Sequence, residues 1–279
     1  MPLPHFLVVG AMKSGTTTLY NDLAGHPDVL LAEKESSPLL GEAARDRYAR
    51  AFAGRPGVYG DVSTHYTMRP QYDGVVARAA RWLPPDTKIV YILRDPVERA
   101  VSHYRHWAGL ARYTVPDTLE AALREVPELT DWSAYATQIE PWVETFGVEN
   151  VRPLSFENYV ADRAGGFAGL CEWLGLPACG PPDDAVYNRT HGRPVLNVFW
   201  TRVRMSPAYE AVRHFLPGGV KDHVKRAVMA PADVPPVRPS PATRARLEDR
   251  LRGEVERLHA MFGDKAPTWR WAEAVAAAA

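Results

Sequence analysis

Cysteine is scarce in this chain. Cys171 and Cys179 are the only two among 279 residues, too few for a disulfide framework or a cysteine-based metal site, so free thiols in a reducing compartment are expected. Long hydrophobic runs are missing. No stretch approaches the roughly 20 apolar residues of a membrane helix, and the alanine-rich residues 272–279 are too few to form one. No charged leader precedes the first strand pattern at Phe6, so no signal peptide is expected. An excess charge of either sign is absent too. Lys plus Arg and Asp plus Glu both total 33, giving a formal net charge of zero. That argues against a broad nucleic-acid surface while leaving room for a local basic pocket. Repeats and heptad arrays are also missing. A cytoplasmic globular chain, acting on neither nucleic acid nor membrane, is the expectation from these absences.

What is present begins at Phe6-Leu-Val-Val-Gly10-Ala-Met-Lys13-Ser14-Gly15-Thr16-Thr17-Thr18. An apolar run ends in a glycine turn that leads into threonines and a helical pattern. Strand, glycine loop and helix in this order form an anion cradle, because the loop exposes backbone N–H groups and the helix start adds partial positive charge. Gly10 and Gly15 have the spacing of an ATP-type P-loop, but Thr16 stands where that motif needs lysine. The lysine is inside the loop, at Lys13.

Further strand patterns lie at Val58–Tyr59, Ile89–Leu93 and Val151–Ser155. Helical patterns run over Thr16–Ala24, Glu42–Ala53, Tyr72–Trp82, Val97–Leu110, Leu119–Glu125 and Tyr135–Phe146. This alternation predicts an α/β fold with a parallel, P-loop-type sheet flanked by helices on both faces. After Ser155 the pattern becomes largely helical, ending in a long helix over Thr243–Phe262. One domain over 1–279 is expected, with an α/β nucleotide-binding core at 1–160 and a mostly helical part at 161–279.

The second anchor is Ile89–Leu93 running into Arg94-Asp95-Pro96-Val-Glu-Arg99-Ala-Val-Ser102. Asp95 suits an N-cap and Pro96 the first helical position. Arg94 then sits at a strand end, and Ser102 about two turns into the following helix, spaced to share one anion. A magnesium-dependent NTPase wants an aspartate at such a strand end. Arginine there points to an anionic nucleotide held by basic groups, with no metal.

These two segments, about eighty residues apart, together resemble the sulfotransferases that use 3′-phosphoadenosine 5′-phosphosulfate (PAPS), in the branch of the heparan sulfate and many bacterial enzymes. His26-Pro27-Asp28-Val29 fits the same pattern. The resemblance implies that Lys13 contacts the phosphosulfate, with Ser14, Gly15, Thr16, Thr17 and Thr18 as donors. It also implies that Arg94 and Ser102 hold the 3′-phosphate. His191-Gly192-Arg193 is similar to a loop that closes over the nucleotide in this branch, which would add Arg193.

Sulfuryl transfer needs positioning, charge stabilisation at the leaving oxygen and a base for the acceptor hydroxyl. In this branch the base is a glutamate whose matching place falls on Glu35, in Glu33-Lys34-Glu35-Ser36-Ser37. If that segment is extended, Lys34 points away from Glu35. Gly60-Asp61-Val62-Ser63-Thr64-His65 departs from the branch, since Val62 replaces a lysine. His65 is the candidate helper, as histidine titrates near neutral pH. Trp132, Tyr135, Gln138 and Trp142 have a helical spacing that fits core packing better than an acceptor cleft. The resemblance thus implies PAPS as co-substrate and a hydroxyl acceptor; zero net charge disfavours a long polyanionic polysaccharide, and a small molecule, such as a bacterial secondary metabolite or a glycoside, is expected. Two readings stay open beside it: a nucleotide or small-molecule kinase with a variant P-loop, and a non-catalytic nucleotide-binding module.

Overall fold

The computed structural model describes residues 2–109, 113, 115–182, 194–196, 229–231 and 237–272. Five parallel strands form the main sheet: β1 (Phe6–Gly10), β2 (Val29–Leu31), β3 (Val58–Val62), β4 (Lys88–Leu93) and β5 (Val151–Ser155), in the order β2-β3-β1-β4-β5. Helix α1 (Thr16–Ala24) connects β1 to β2, α2 (Ala44–Phe52) connects β2 to β3, and α3 (Val75–Trp82) leads to β4. Between β4 and β5 lie α4 (Pro96–Ala108), α5 (Leu119–Glu125), α6 (Glu128–Asp131) and α7 (Tyr135–Phe146). After β5 come α8 (Phe156–Ala161), α9 (Arg163–Trp173), a short antiparallel pair β6 (Pro194–Leu196) and β7 (Met229–Pro231), and α10 (Pro241–Phe262).

Strand periodicity builds two cores. Leu7, Val9, Ile89, Tyr91 and Leu93 point to one face, where α2, α3, α7 and α10 cover them with Phe52, Ala79, Trp142 and Leu258. Phe6, Val8, Val90 and Ile92 point to the other, under Leu19 and Leu23 of α1 and Phe167, Leu170 and Cys171 of α9. Successive residues facing opposite ways is what a strand covered on both sides requires. The expected α/β architecture and helical C-terminal extension are therefore present.

Beyond its expected Val58–Tyr59, β3 continues through Gly60 and Asp61, two poor strand formers. Gly60 is required by contact, since a Cβ there would lie 2.1 Å from the tip of the Phe6 ring. β2 is an addition to the expected strands. His26 introduces it: its Nδ1 accepts from Asp28 N (3.1 Å) and its Nε2 lies 3.0 Å from the Pro177 carbonyl. Cys171 and Cys179 are both free thiols, and burial pushes Cys171 up to about 11. Among the described residues no helix is long and apolar enough to cross a membrane.

The connections set the location of a site. From β1 the chain moves to the β2 side, and from β4 to the β5 side. The carboxyl ends of the adjacent strands β1 and β4 thus flank a topological switch point, where open parallel sheets bind ligands.

Candidate active site

The loop after β1 is tied into the sheet at both flanks. Ala11 N donates to Ile92 O of β4 (2.7 Å), and Thr67 Oγ1 donates to Val9 O (2.8 Å). Gly10 permits that second contact, since a Cβ on it would lie 2.1 Å from Thr67 Oγ1. Lys13 and Gly15 both have left-handed backbone, with φ of 70° and 89°, and they turn the chain into α1 with Gly15 at its N-cap. Thr16 and Thr18 are buried and Thr17 half-buried in the first turn. The Ser14 hydroxyl is buried beside the Tyr135 hydroxyl and makes no hydrogen bond of normal geometry among the described residues. A buried, unsatisfied hydroxyl at a helix N-terminus fits an anionic oxygen.

Arg94 leaves β4 as expected. Asp95 caps α4, its Oδ1 accepting from Val97 N (2.9 Å) and Glu98 N (3.0 Å), with Pro96 at the first helical position. Among the described residues the Arg94 guanidinium has Glu98 as its ion-pair partner, at a long 4.0 Å, while the Glu98 carboxylate is engaged more closely by Arg244 of α10. Ser102 is buried farther along the same helix. Arg193 lies outside the described residues.

Phe156 joins the two halves. Its ring lies where a Gly15 Cβ would approach to 2.4 Å, and the Arg94 guanidinium carbon is 5.5 Å from its centre. Gly15 is therefore needed for close approach as well as for its φ. Trp271 Nε1 donates to Asp95 Oδ2 (3.0 Å), and Asp95 N donates to Glu157 Oε1 (2.8 Å). Trp269 Nε1 reaches Glu157 Oε2 (3.4 Å), so the segment after α10 docks on the Arg94 turn.

Glu35 sits opposite, beyond the end of β3. It is in left-handed backbone, φ 59°, with its N–H donating to Val62 O (3.1 Å). The segment is not extended, and the expectation for Lys34 is corrected: Lys34 Nζ donates to Glu35 Oε1 (3.1 Å) because the left-handed turn brings both side chains to one side. Oε2 accepts from Thr64 N (2.9 Å) and Ser63 Oγ (3.3 Å), and Thr64 Oγ1 reaches both oxygens at 3.2 Å. His65 Nδ1 lies 3.3 Å from Oε2 and 2.9 Å from Ser37 Oγ. Burial would raise the Glu35 carboxyl, but His65, Lys34 and the Thr64 amide outweigh it and hold it at about 2. Glu33 is exposed.

Asp61 lies below this cluster, fully buried. Tyr48 and Tyr66 donate to its Oδ2 (2.7 and 2.5 Å), and the Tyr66 hydroxyl accepts from Leu39 N (3.3 Å). Burial first, then the nearby Glu35 charge, push the Asp61 carboxyl up to about 6 against the two tyrosines. A raised carboxyl binds its proton in the folded state before the unfolded one does, so stability falls as pH rises from about 4 through 6. Asp61→Asn is expected to remove that fall, on the order of 2–3 kcal/mol, in urea titrations from pH 4 to 8. An unchanged pH profile would contradict the assignment.

Tyr135, Gln138 and Trp142 are core residues, with Gln138 bonded to the backbone of Arg69. Phe156, Ser37, Ser63 and Thr64 were not singled out by sequence. The hydroxyl residues sit next to Glu35 and His65 in ordinary loop patterns, and Phe156 carries no motif. An open hollow of about 410 Å³ lies at the amino ends of the strands, lined by His5, Tyr59 and Lys88 among others, far from these groups. Among the described residues no group of three or more His, Cys, Asp or Glu is placed to hold a metal.

A phosphate loop with an internal lysine, an arginine at the neighbouring strand end and a carboxylate–imidazole pair beside them define a class. The chain belongs to the sulfotransferase domain family, which matches residues 3–225. Among its relatives is mouse heparan sulfate glucosamine 3-O-sulfotransferase 6, 29% identical over 202 residues, covering 69% of this chain and 58% of the relative. Human heparan sulfate glucosamine 3-O-sulfotransferase 3B1 is 29% identical over 206 residues, covering 70% and 52%. The chain thus spans little more than half the length of these relatives. A crystal structure of a sulfotransferase from Alicyclobacillus acidocaldarius shares the fold, with a TM-score of 0.64 at 23% identity over 97% of this chain and 99% of that one.

Proposed function

We propose that this chain transfers a sulfuryl group from PAPS to a hydroxyl of a small-molecule acceptor, in line and without a metal. One observation carries the reading. Two anion-binding features, the Lys13 loop with its unsatisfied Ser14 hydroxyl and the Arg94 turn, share the Phe156 ring at the carboxyl ends of β1 and β4. That pairing suits a nucleotide with phosphate at two positions. Lys13, Ser14, Gly15, Thr16, Thr17 and Thr18 take the 5′ side; Arg94 and Ser102 take the 3′-phosphate, joined by Arg193. The acceptor's proton goes to the Glu35–His65 pair. Positioning and fixed charge do the work, as in other transfers of this type.

A balance of 33 basic and 33 acidic residues supports a small acceptor over a long polyanion. We place the protein in the cytoplasm, in bacterial secondary metabolism, as a single domain over 1–279 with its nucleotide-binding core in 1–160.

Calorimetry with adenosine 3′,5′-bisphosphate, together with transfer of labelled sulfate from PAPS, tests the reading. Tight binding of ATP with Mg²⁺ and none of the bisphosphate would overturn it in favour of a kinase. Bisphosphate binding with no transfer to any acceptor would point to a binding module. Arg94→Ala is expected to weaken the bisphosphate by roughly 10- to 100-fold, the loss of one charge-assisted contact. Adenosine 5′-phosphate should bind as before, and equal losses for both ligands would remove Arg94 from the 3′ side.

A further inference from the structure

Tyr135 opens α7 and is only 1% exposed. Its hydroxyl donates to Arg94 O (2.8 Å). A carbonyl can only accept, so the direction of this bond is fixed. A phenol has one proton, and with that proton given to Arg94 the same oxygen meets the Ser14 hydroxyl as an acceptor. Burial pushes the phenol well above its ordinary range, so it keeps its proton at neutral pH. One oxygen atom thus touches both the loop after β1 and the turn after β4.

The peptide between Arg94 and Asp95 is held at both of its polar atoms. Its carbonyl is bonded by Tyr135, and its N–H donates to Glu157 Oε1 (2.8 Å). A peptide is a rigid plane, so pinning both atoms fixes the backbone from which Arg94 projects. The phenol is itself immobilised. Tyr91 of β4 meets its ring edge-on, with centroids 5.8 Å apart, and Trp269 packs on it at 6.1 Å. One turn further along α7, Gln138 accepts from Arg69 N (2.9 Å) and donates to the carbonyls of Arg69 and Asp131 (3.0 Å each), which anchors the start of the helix. Phenylalanine would fill nearly the same volume in this core. What the hydroxyl adds is the tie between the two turns.

We propose that Tyr135 is a positioning residue that sets the spacing between the two anion sites, and so selects a nucleotide with phosphates on its 5′ and 3′ oxygens over the 2′,5′ isomer. The proposal rests on the sulfotransferase reading above, which gives the Ser14 loop the 5′ side and Arg94 the 3′ side. Tyr135 touches neither phosphate. It acts through the Arg94 carbonyl and the Ser14 hydroxyl, and a ligand that engages one site alone does not sense the spacing.

Calorimetry with adenosine 3′,5′-bisphosphate, adenosine 2′,5′-bisphosphate and adenosine 5′-phosphate tests this. The two bisphosphates have the same charge and composition and differ only in where the second phosphate sits. Wild-type protein is expected to prefer the 3′,5′ isomer by about tenfold or more. Tyr135→Phe is expected to weaken that isomer by about tenfold and the other two ligands by less than about threefold, so the preference collapses. Equal losses for all three ligands would mark general damage to the fold and overturn the proposal. So would an unchanged ratio between the isomers, or a wild type with no preference. If urea titration shows that Tyr135→Phe does not fold, Glu157→Ala releases the other end of the Arg94–Asp95 peptide from an exposed position. It is expected to narrow the same ratio, and an unchanged ratio there overturns the proposal. Wild-type protein that binds neither bisphosphate would overturn the sulfotransferase reading instead.

Discussion

Lys13→Ala is expected to lower turnover by roughly 10³-fold while changing the affinity for adenosine 3′,5′-bisphosphate by less than about tenfold. The lysine lies inside the loop that ends β1, in left-handed backbone with φ 70°. A P-loop lysine placed after the second glycine would stand in the first helical turn, as Thr16 does here. Lys13 instead stands in the loop before the helix begins, and in the proposed reading it serves the end of the nucleotide where charge develops. Such a group contributes more to the transition state than to the bound product, and removing a comparable fixed donor costs about 10²–10³ in kcat. The compact ammonium can follow a single oxygen. Lys13→Arg should therefore recover only part of the loss, despite keeping the charge. The check is kcat from labelled transfer alongside the calorimetric Kd. A loss confined to Kd would move Lys13 from the leaving oxygen to ordinary ground-state binding.

The second large effect concerns stability. Asp22 of α1 is fully buried on the α9 side of the sheet. It accepts from Tyr159 Oη (2.6 Å) and Arg163 Nε (3.0 Å), and its other oxygen pairs with Arg163 Nη2. Arg163 is itself only 11% exposed. Asp22→Ala removes the charged acceptor that a largely buried guanidinium and a buried phenol share. Breaking a buried pair from one side costs about 3–5 kcal/mol, a large share of the 5–15 kcal/mol that holds a typical domain together. Replacing both partners, with Asp22→Leu and Arg163→Met, should recover most of that loss, since apolar groups of similar volume carry no unmet charge. Urea unfolding of the single and double variants gives the comparison. A single variant within 1 kcal/mol of wild type would mean that solvent reaches the pair. Because α1 begins at the phosphate loop, a destabilised Asp22 variant should also bind the bisphosphate less tightly.

The parts of the fold legible in sequence were those whose local signal agreed with their surroundings. Thr16–Ala24, Leu119–Glu125, Tyr135–Phe146 and Val151–Ser155 have the bounds their patterns predict. β2 was missed because three residues after a His-Pro-Asp turn carry almost no periodicity of their own; pairing with β3 makes them a strand. β3 outruns its sequence pattern, which stops at Tyr59, because glycine and aspartate are weak strand formers. The Phe6 ring, distant in sequence, makes Gly60 fit, and the Tyr48 and Tyr66 hydroxyls, from the helix before and the turn after, make Asp61 fit.

The same division runs through the candidate site. Lys13, Arg94 and Glu35 stand in contiguous motifs, which is why sequence nominates them. It does not nominate Phe156, because its role arises from contact with residues far away on two other strand ends. Lys34 departs from the direction its pattern predicts because a single positive φ at Glu35 overrides strand alternation. The Ser37 and Ser63 hydroxyls gain meaning only when the β3 end and the Glu35 turn are brought side by side.

Trp271 and Asp95 are 176 residues apart in sequence, and their hydrogen bond has a consequence for synthesis. A ribosome has released all five strands, the phosphate loop and the Arg94 turn long before it reaches α10 and the tryptophans behind it. The emerging chain therefore passes through a stage in which every strand is made but the arginine turn is unlatched. Ligand grip should mature last, as a late event set by the arrival of residues 241–272 rather than by the motif near the start.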